Sequence, residues 1–383
     1  MLVLCAASVA QVVGVSVPRE VVLAAQSDVT AATVRIGVLH NGVYDVATLP
    51  LETYVARVLA GEALPGAASA AMEALAIAIR TYAIENRGRH QGDGFDLCDQ
   101  THCQVMRASS PVTERAAAAT AGQILLYRGA PATVYYSASC GGHTEKPSNV
   151  WPGAPDPPYL PSQDDDGCGG TPAWSSEIGF ADLERALLAA GFKGSLRDVR
   201  IARRNESTRV QDVQLDGMTP SRISGQDLRM AVGRTLGWQY VQSTLFELTR
   251  TGKAIRLRGQ GNGHAVGLCV IGSSRLATAG RSATEILQQY FPGTTIGAIP
   301  SRAAAARPAV PVTPTVAPVP PGSVTSPAAV PAVVAAAPAV SANANIVSAG
   351  LSIELPDTDA GERGELAALI TRERDVLSST LGV

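Results

Sequence analysis

LPLETYVARVLAGEALP, residues 49–65, is the stretch on which the fold turns. Pro50 opens a helix, because the first helical turn needs no amide from it. Leu51, Val55, Val58 and Leu59 follow on one face, and Gly61 and Pro65 help to stop the helix. Glu62 comes eleven residues after Leu51, close to three full turns, so it falls on the same apolar stripe. A carboxylate on a buried stripe at a helix C-terminus is disfavoured as an anion twice over, by desolvation and by the negative end of the helix dipole. A carboxyl group that keeps its proton near neutral pH is what a general acid requires. The competing expectation is an internal ion pair with Arg80 on the next helix.

Upstream, TVRIGVL (33–39) reads as a strand and Asn41-Gly42 as a tight turn. Downstream, Met72, Leu75, Ala76, Ile79 and Ala83 predict a second helix over about 68–86. QILLYRG (123–129) and ATVYYSAS (132–139) read as two strands joined by a turn, and RVQDVQLDG (209–217) and STLFELTR (243–250) as two more. Ser224 begins a helix through Leu236, and Ser282 with Glu285 forms a capping box for a last helix ending at Tyr290. Helices gather early and strands later. The expected fold class is therefore α+β, with the early helices packed against mixed or antiparallel β structure in one domain over residues 33–300.

The flanks differ in composition. Residues 2–17 are apolar or small apart from Gln11, the first cation is Arg19 and small residues follow at Ala24 and Ala25, so residues 1–26 predict an export segment, with a buried strand as the alternative. The expected location is secreted or in the cell envelope. Residues 301–350 are rich in Pro, Ala and Val and predict an extended linker. Beyond it, LSIELP (351–356) reads as a strand and 361–383 as a helix, too little to bury a core of its own. A net charge of −2, with no run of Lys or Arg, argues against nucleic acid as a partner. No later apolar run is long enough to predict an internal membrane span.

Six cysteines are present. His90, Cys98, His102 and Cys103 lie within fourteen residues, a Cys2His2 set that suits tetrahedral zinc. A Cys98–Cys103 disulfide suits the same spacing in an oxidising compartment. Ser137, Ser139, Gly141, Gly142, His143 and Thr144 form a polar loop in which glycines allow close approach of backbone to a ligand. His143 is either a donor to a ligand or a surface histidine. Cys140 and Cys168 could pair as a disulfide around Trp151 and Tyr159. The run Asp164–Asp166 reads as a solvated loop. GQGNGHAVGLC (259–269) is a third glycine-rich element, without the framing of a dinucleotide loop.

Taken in order, LPLETYVARVLAGEALP, MEALAIAIRTYA, FDLCDQTHCQV, YSASCGGHTE with Val150-Trp151, RVQDVQLDG and GQGNGHAVG with EILQQYFPGTTI resemble the SpoIID/LytB family over roughly residues 33–300. The resemblance implies a lytic transglycosylase acting on peptidoglycan glycan strands, with Glu62 in the position of the catalytic glutamate. It implies zinc at His90, Cys98, His102 and Cys103, and a substrate-facing set of Arg80, Ser137, Ser139, Gly141, Gly142, His143, Thr144 and His264. The sequence departs from the family pattern at Asn262, where a tryptophan is usual, and at Ala265, where a glycine is usual. A second function class follows from the same resemblance: a non-catalytic wall-binding protein that stimulates a partner amidase.

Overall fold

The computed structural model describes residues 32–40, 42–300, 346–348 and 351–353. The segment 1–26, most of the linker and the helix expected over 361–383 lie outside the described residues. Within them the class is α+β, with eight helices, the shortest of them α4 (Pro147–Val150), and mostly antiparallel sheets.

Strands β1 (Thr33–His40) and β2 (Val43–Pro50) form an antiparallel hairpin with Thr33 opposite Pro50. The turn uses Gly42 at φ +83°, a conformation that favours glycine. Helix α1 (Leu51–Glu62) follows β2 without a break, and its first amide bonds the Ala32 carbonyl at 2.8 Å. The aliphatic stripe expected from the sequence is buried, and Tyr54 is buried with it.

Helix α2 (Ser69–Glu85) is buried almost all round, from Ala71 to Ala83. Its alanines let α1, helix α3 (Pro111–Ala119) and strand β4 (Gln123–Tyr127) pack closely on it. At the start of helix α3, Ser110 and Thr113 form a capping box and Pro111 takes the first turn.

Arg80 sits fully buried in this helical layer. Its Nε and Nη2 donate to the Glu52 carboxylate at 3.0 and 2.5 Å. Nη1 donates to the Gln123 carbonyl and Nη2 to the Ala117 carbonyl, at 3.0 and 3.1 Å. The expectation that Arg80 contacts substrate is therefore corrected. Its guanidinium is consumed in tying α1, α2, α3 and β4 together, and its ion pair is with Glu52 rather than Glu62.

Strand β4 pairs with β5 (Ala130–Pro131) and with β14 (Thr295–Ala298). The second strand expected here shrinks to β6 (Tyr136–Ser137), which pairs in parallel with β13 (Leu268–Cys269). The preceding residues 132–135 run as irregular chain: Ala132 still donates to the Leu125 carbonyl of β4, but the Thr133 amide leaves the ladder for the Tyr159 hydroxyl. Two further helices, α7 (Val270–Thr278) and α8 (Ala283–Tyr290), close this core, the latter with the expected Ser282–Glu285 capping box.

The sequence suggested one domain over 33–300. Within that span the described residues build two hydrophobic cores. The first draws on residues 34–168 and again on 265–291. The second lies wholly between Trp174 and Leu257. It is built from β7 (Trp174–Gly179), α5 (Phe180–Ala189), the long antiparallel pair β8 (Lys193–Arg204) and β9 (Val210–Thr219), and β10 (Arg222–Ser224). Helix α6 (Gly225–Thr235), capped by Ser224, and the hairpin β11 (Phe246–Thr251) with β12 (Ala254–Gly259) complete it. This inserted segment returns the chain to the first core at Gln260.

By themselves, β15 (Ile346–Ser348) and β16 (Leu351–Ile353) form a short antiparallel hairpin. Its first strand occupies residues expected to belong to the linker. No helix of the described residues is long and apolar enough to cross a membrane.

Candidate functional site

Glu62 is the last residue of α1, and its side chain is half-buried. Gly61 makes this possible. A Cβ there would stand 2.7 Å from the Val105 carbonyl oxygen, so only glycine lets the 103–107 segment run against the helix end. The same segment is held by the Arg107 amide, which donates to the Arg57 carbonyl at 3.0 Å. Among the described residues no cation forms an ion pair with Glu62. Burial raises its pKa, and the Val105 backbone and the Arg107 guanidinium offset part of that rise.

Beside Glu62 runs a buried polar chain that the sequence did not disclose. The Tyr54 hydroxyl donates to Gln104 Oε1 at 2.7 Å, and Gln104 Nε2 donates to the Tyr136 hydroxyl at 2.8 Å. Burial first, and the Glu62 carboxylate next, push the Tyr136 phenol well above its ordinary value, so it stays protonated. Tyr54 was legible, since it shares the stripe of Leu51 and Val58. Gln104 and Tyr136 carried no periodic signal and reach this place through packing alone.

An aromatic group borders the same region through Tyr136. Tyr135 and Trp151 lie 4.7 Å apart between ring centroids, and Trp151 and His264 5.1 Å. His264 Nδ1 accepts the Val266 amide at 3.0 Å, which fixes the neutral ring with its proton on Nε2. Burial, with Arg229 and Arg209 nearby, lowers the His264 pKa to about 3, while the Tyr136 backbone acts the other way. The ring is therefore neutral across the physiological range and cannot act as a proton donor of the imidazolium kind.

The two glycine-rich loops meet. Ser139 and Asn262 exchange backbone hydrogen bonds at 3.0 and 2.8 Å. A Cβ on Gly141 would lie 3.1 Å from the Gly261 amide, and one on Gly263 would lie 2.7 Å from the Ser137 Cβ. Their glycines thus serve backbone-to-backbone contact rather than leaving backbone open to a ligand. Ser137, Ser139 and Thr144 were expected to face substrate, and all three are buried. Ser139 Oγ lies 3.2 Å from Cys168 Sγ, and the Thr144 hydroxyl donates to the Pro161 carbonyl at 2.9 Å. Those side chains close the loop instead of contacting solvent, because the loop is the seam between two chain segments. Gly142 stands on the rim at φ +99°. His143 is turned to Asp164 Oδ1 at 2.8 Å and Ser162 Oγ at 3.0 Å.

His90, Cys98, His102 and Cys103 come together at the end of β3 (Leu97–Cys98), which pairs in parallel with β1. One donor atom from each lies within 4.8 Å of all the others. His90 Nε2 and His102 Nδ1 are 3.1 Å apart, and Cys98 and Cys103 Sγ lie 3.8 and 3.6 Å from His102 Nδ1. His90 Nδ1 is held by Asp93 Oδ2 at 2.7 Å, the outer-shell carboxylate that orients a ligating imidazole. The donor set and its outer shell fit a tetrahedral metal ion, and both thiols are free.

The acidic run is not wholly solvated. Asp164 and Asp166 are exposed, but Asp165 is buried and accepts the Tyr290 hydroxyl at 2.9 Å. Cys140 and Cys168 are free thiols in the structure rather than a disulfide.

Comparison with known proteins matches residues 40–127 to the family model SpoIID, the stage II sporulation protein. That span holds α1, α2 and the Cys2His2 set. Over 254 residues the chain is 28% identical to an uncharacterized protein of Brachyspira hyodysenteriae, covering 65% of this chain and 67% of that one. It is 26% identical to the stage II sporulation protein D of Bacillus subtilis, covering 70% and 80% of the two chains. It is also 24% identical to the amidase enhancer of the same organism, over 59% of this chain and 38% of the relative. The family match, the related chains and the glutamate-bearing helix agree: the chain is similar to the SpoIID/LytB family, whose model matches residues 40–127.

Proposed function

We propose that this protein acts at the cell wall as a peptidoglycan lytic transglycosylase, with Glu62 as its general acid and base. The observation that carries the proposal is a half-buried glutamate with no ion-pair partner among the described residues, held at a helix end where burial favours its protonated form. As an acid, Glu62 would protonate the glycosidic oxygen between N-acetylmuramic acid and N-acetylglucosamine. As a base, it would then take the proton from the muramic 6-hydroxyl as that oxygen attacks the anomeric carbon. The product is a 1,6-anhydro sugar, and one carboxyl group serves both steps, so the second carboxylate of ordinary glycosidases is not needed. Tyr136, kept protonated beside Glu62, offers a hydroxyl donor, and Trp151 a flat face for a sugar ring.

Zinc belongs to the same proposal. His90, Cys98, His102 and Cys103 would hold it, and the ion would stiffen the loop leading to Gln104 and Val105. It would act on folding rather than on the bond cleaved. The protein would work outside the cytoplasm, where its glycan substrate lies.

The test is mass spectrometry of purified glycan strands incubated with the protein. Release of 1,6-anhydromuramyl fragments by the wild-type chain, and their loss in Glu62→Gln, supports the enzyme. The similarity to an amidase enhancer favours a second reading, a glycan-binding protein that stimulates a partner amidase. Unchanged glycan strands together with faster amidase cleavage of wall peptides would establish that reading in place of the first.

A further inference from the structure

We propose that Cys140, Cys168, Cys269 and Asp165 form a second site for a single divalent ion of the zinc class, buried behind the seam of the two glycine loops. This inference does not depend on the glycan chemistry of Glu62.

The four residues come from three separate stretches: the loop after β6, the turn at 165–168, and the junction of β13 with α7. One donor atom from each lies within 4.8 Å of the other three. Sulfurs around a tetrahedral zinc with ~2.3 Å bonds stand about 3.8 Å apart, so the cluster has the dimensions of a mononuclear site. A cluster of several irons would hold its ligands farther apart than this. The three cysteines are fully buried, and Asp165 is 1% exposed.

A second observation points independently to a ligand. Asp165 Oδ2 accepts the Tyr290 hydroxyl at 2.9 Å, whereas Oδ1 is buried with no hydrogen-bond partner among the described residues. A buried carboxylate oxygen left unpaired is costly, and a bound cation removes that cost. The surroundings also suit thiolates. The Cys140 and Gly272 amides both donate to Cys269 Sγ at 3.3 Å, and Ser139 Oγ stands 3.2 Å from Cys168 Sγ. Cys269 is the N-cap of α7, where the helix dipole favours negative charge.

A disulfide does not satisfy this arrangement, since any one pairing leaves a buried thiol beside a buried carboxylate. Space around Asp165 is tailored too. A Cβ at Gly272 would lie 2.1 Å from the Tyr290 hydroxyl oxygen and 2.6 Å from Asp165 Oδ2. When the ion binds, the thiol protons leave to solvent and one ion joins the 139–142 loop, the 165–168 turn and α7. Those elements position the Gly141–Gly261 contact.

The experiment is metal analysis of the full chain, purified under reducing conditions without chelator, with non-reducing peptide maps of the native protein. The wild type is expected to carry about two zinc ions per chain, Cys103→Ser about one, and Cys168→Ser about one. Asp165→Asn should weaken retention against a chelator by 10- to 100-fold or more, the usual scale for a disrupted metal environment. Zinc lost from Cys168→Ser but undiminished in Cys103→Ser establishes this site and removes the Cys2His2 one. Zinc undiminished in Cys168→Ser overturns the proposal, as does a native disulfide between any two of Cys140, Cys168 and Cys269. Should Cys168→Ser fail to fold, cobalt-loaded Cys103→Ser decides. Strong thiolate-to-cobalt absorption characteristic of several sulfur ligands is expected, and its absence overturns the site.

Discussion

Helix α1 carries a glutamate near each end, and the fold treats them in opposite ways. Glu52, in the first turn, meets the fully buried Arg80 through two hydrogen bonds and also accepts the Gly122 amide at 3.1 Å. Its charge is answered by Arg80. Glu62, at the last turn, meets no cation in an ion pair among the described residues, and burial raises its pKa. The difference is one between architecture and chemistry. A paired carboxylate fixes helices in place and has no proton to lend, whereas an unpaired one is left able to exchange its proton.

The contrast breaks most sharply at Glu62. Glu62→Gln keeps the shape and removes the proton, so release of anhydro products should fall roughly 10²- to 10⁴-fold, the usual scale for a general acid–base group. Urea denaturation in acid, where Glu62 and its Gln replacement are both neutral, should show the variant as stable as the wild type. A full rate in the variant would place the chemistry elsewhere.

Arg80→Ala should give the reverse pattern. It strips the partner from Glu52 and frees the Gln123 and Ala117 carbonyls, with an expected loss of roughly 3 kcal/mol, the lower end of the scale for breaking a buried pair, because Glu52 is partly wetted. The denaturation midpoint reads this, and the folded fraction should still turn over glycan. Loss of turnover at unchanged stability would return Arg80 to the substrate site.

Gly61→Ala sharpens the comparison by moving Glu62 without altering it. The new methyl collides with the Val105 carbonyl, which predicts a loss of roughly 1–3 kcal/mol and a lower rate, because the displaced segment borders Glu62.

The smallest effect concerns pH. With its folded pKa above the unfolded one, Glu62 makes the native chain bind more protons in that window. Its contribution to stability is present below the unfolded pKa and is lost as pH rises through the folded pKa. Turnover that needs the acid form should decline over the same rise. Glu62→Gln should remove this component from the stability profile, which paired denaturation curves across the window would register.

Much of this was legible. The stripe of α1, the second helix and the Ser282 capping box follow from local rules that hold wherever the segment ends up. The Cys2His2 set was readable for the same reason, since fourteen residues of chain keep its members near one another. Misreadings gathered where side chains are used across long separations. Arg80 was placed at substrate because nothing in its own helix announces Glu52 as its partner. Ser137, Ser139 and Thr144 looked like an open polar loop, but the Asn262–Gly263 segment packs on the two serines and residues 161–163 take up Thr144. The second core was invisible because its strands and helices have the same local character as those of the first.

The sequence by itself determined the periods: which faces are apolar, where helices start and stop, and that one glutamate falls on a buried stripe at a helix end. These depend on neighbours within a turn or two, where backbone geometry fixes distance. Only the tertiary structure decided which of two carboxylates on α1 would be neutralised. It alone brought Gln104 and Tyr136 to Glu62, and Cys269 to within reach of Cys140 across 129 residues. Such meetings are set by how whole surfaces exclude water and interlock, and a polymer's order along the chain carries no metric for that.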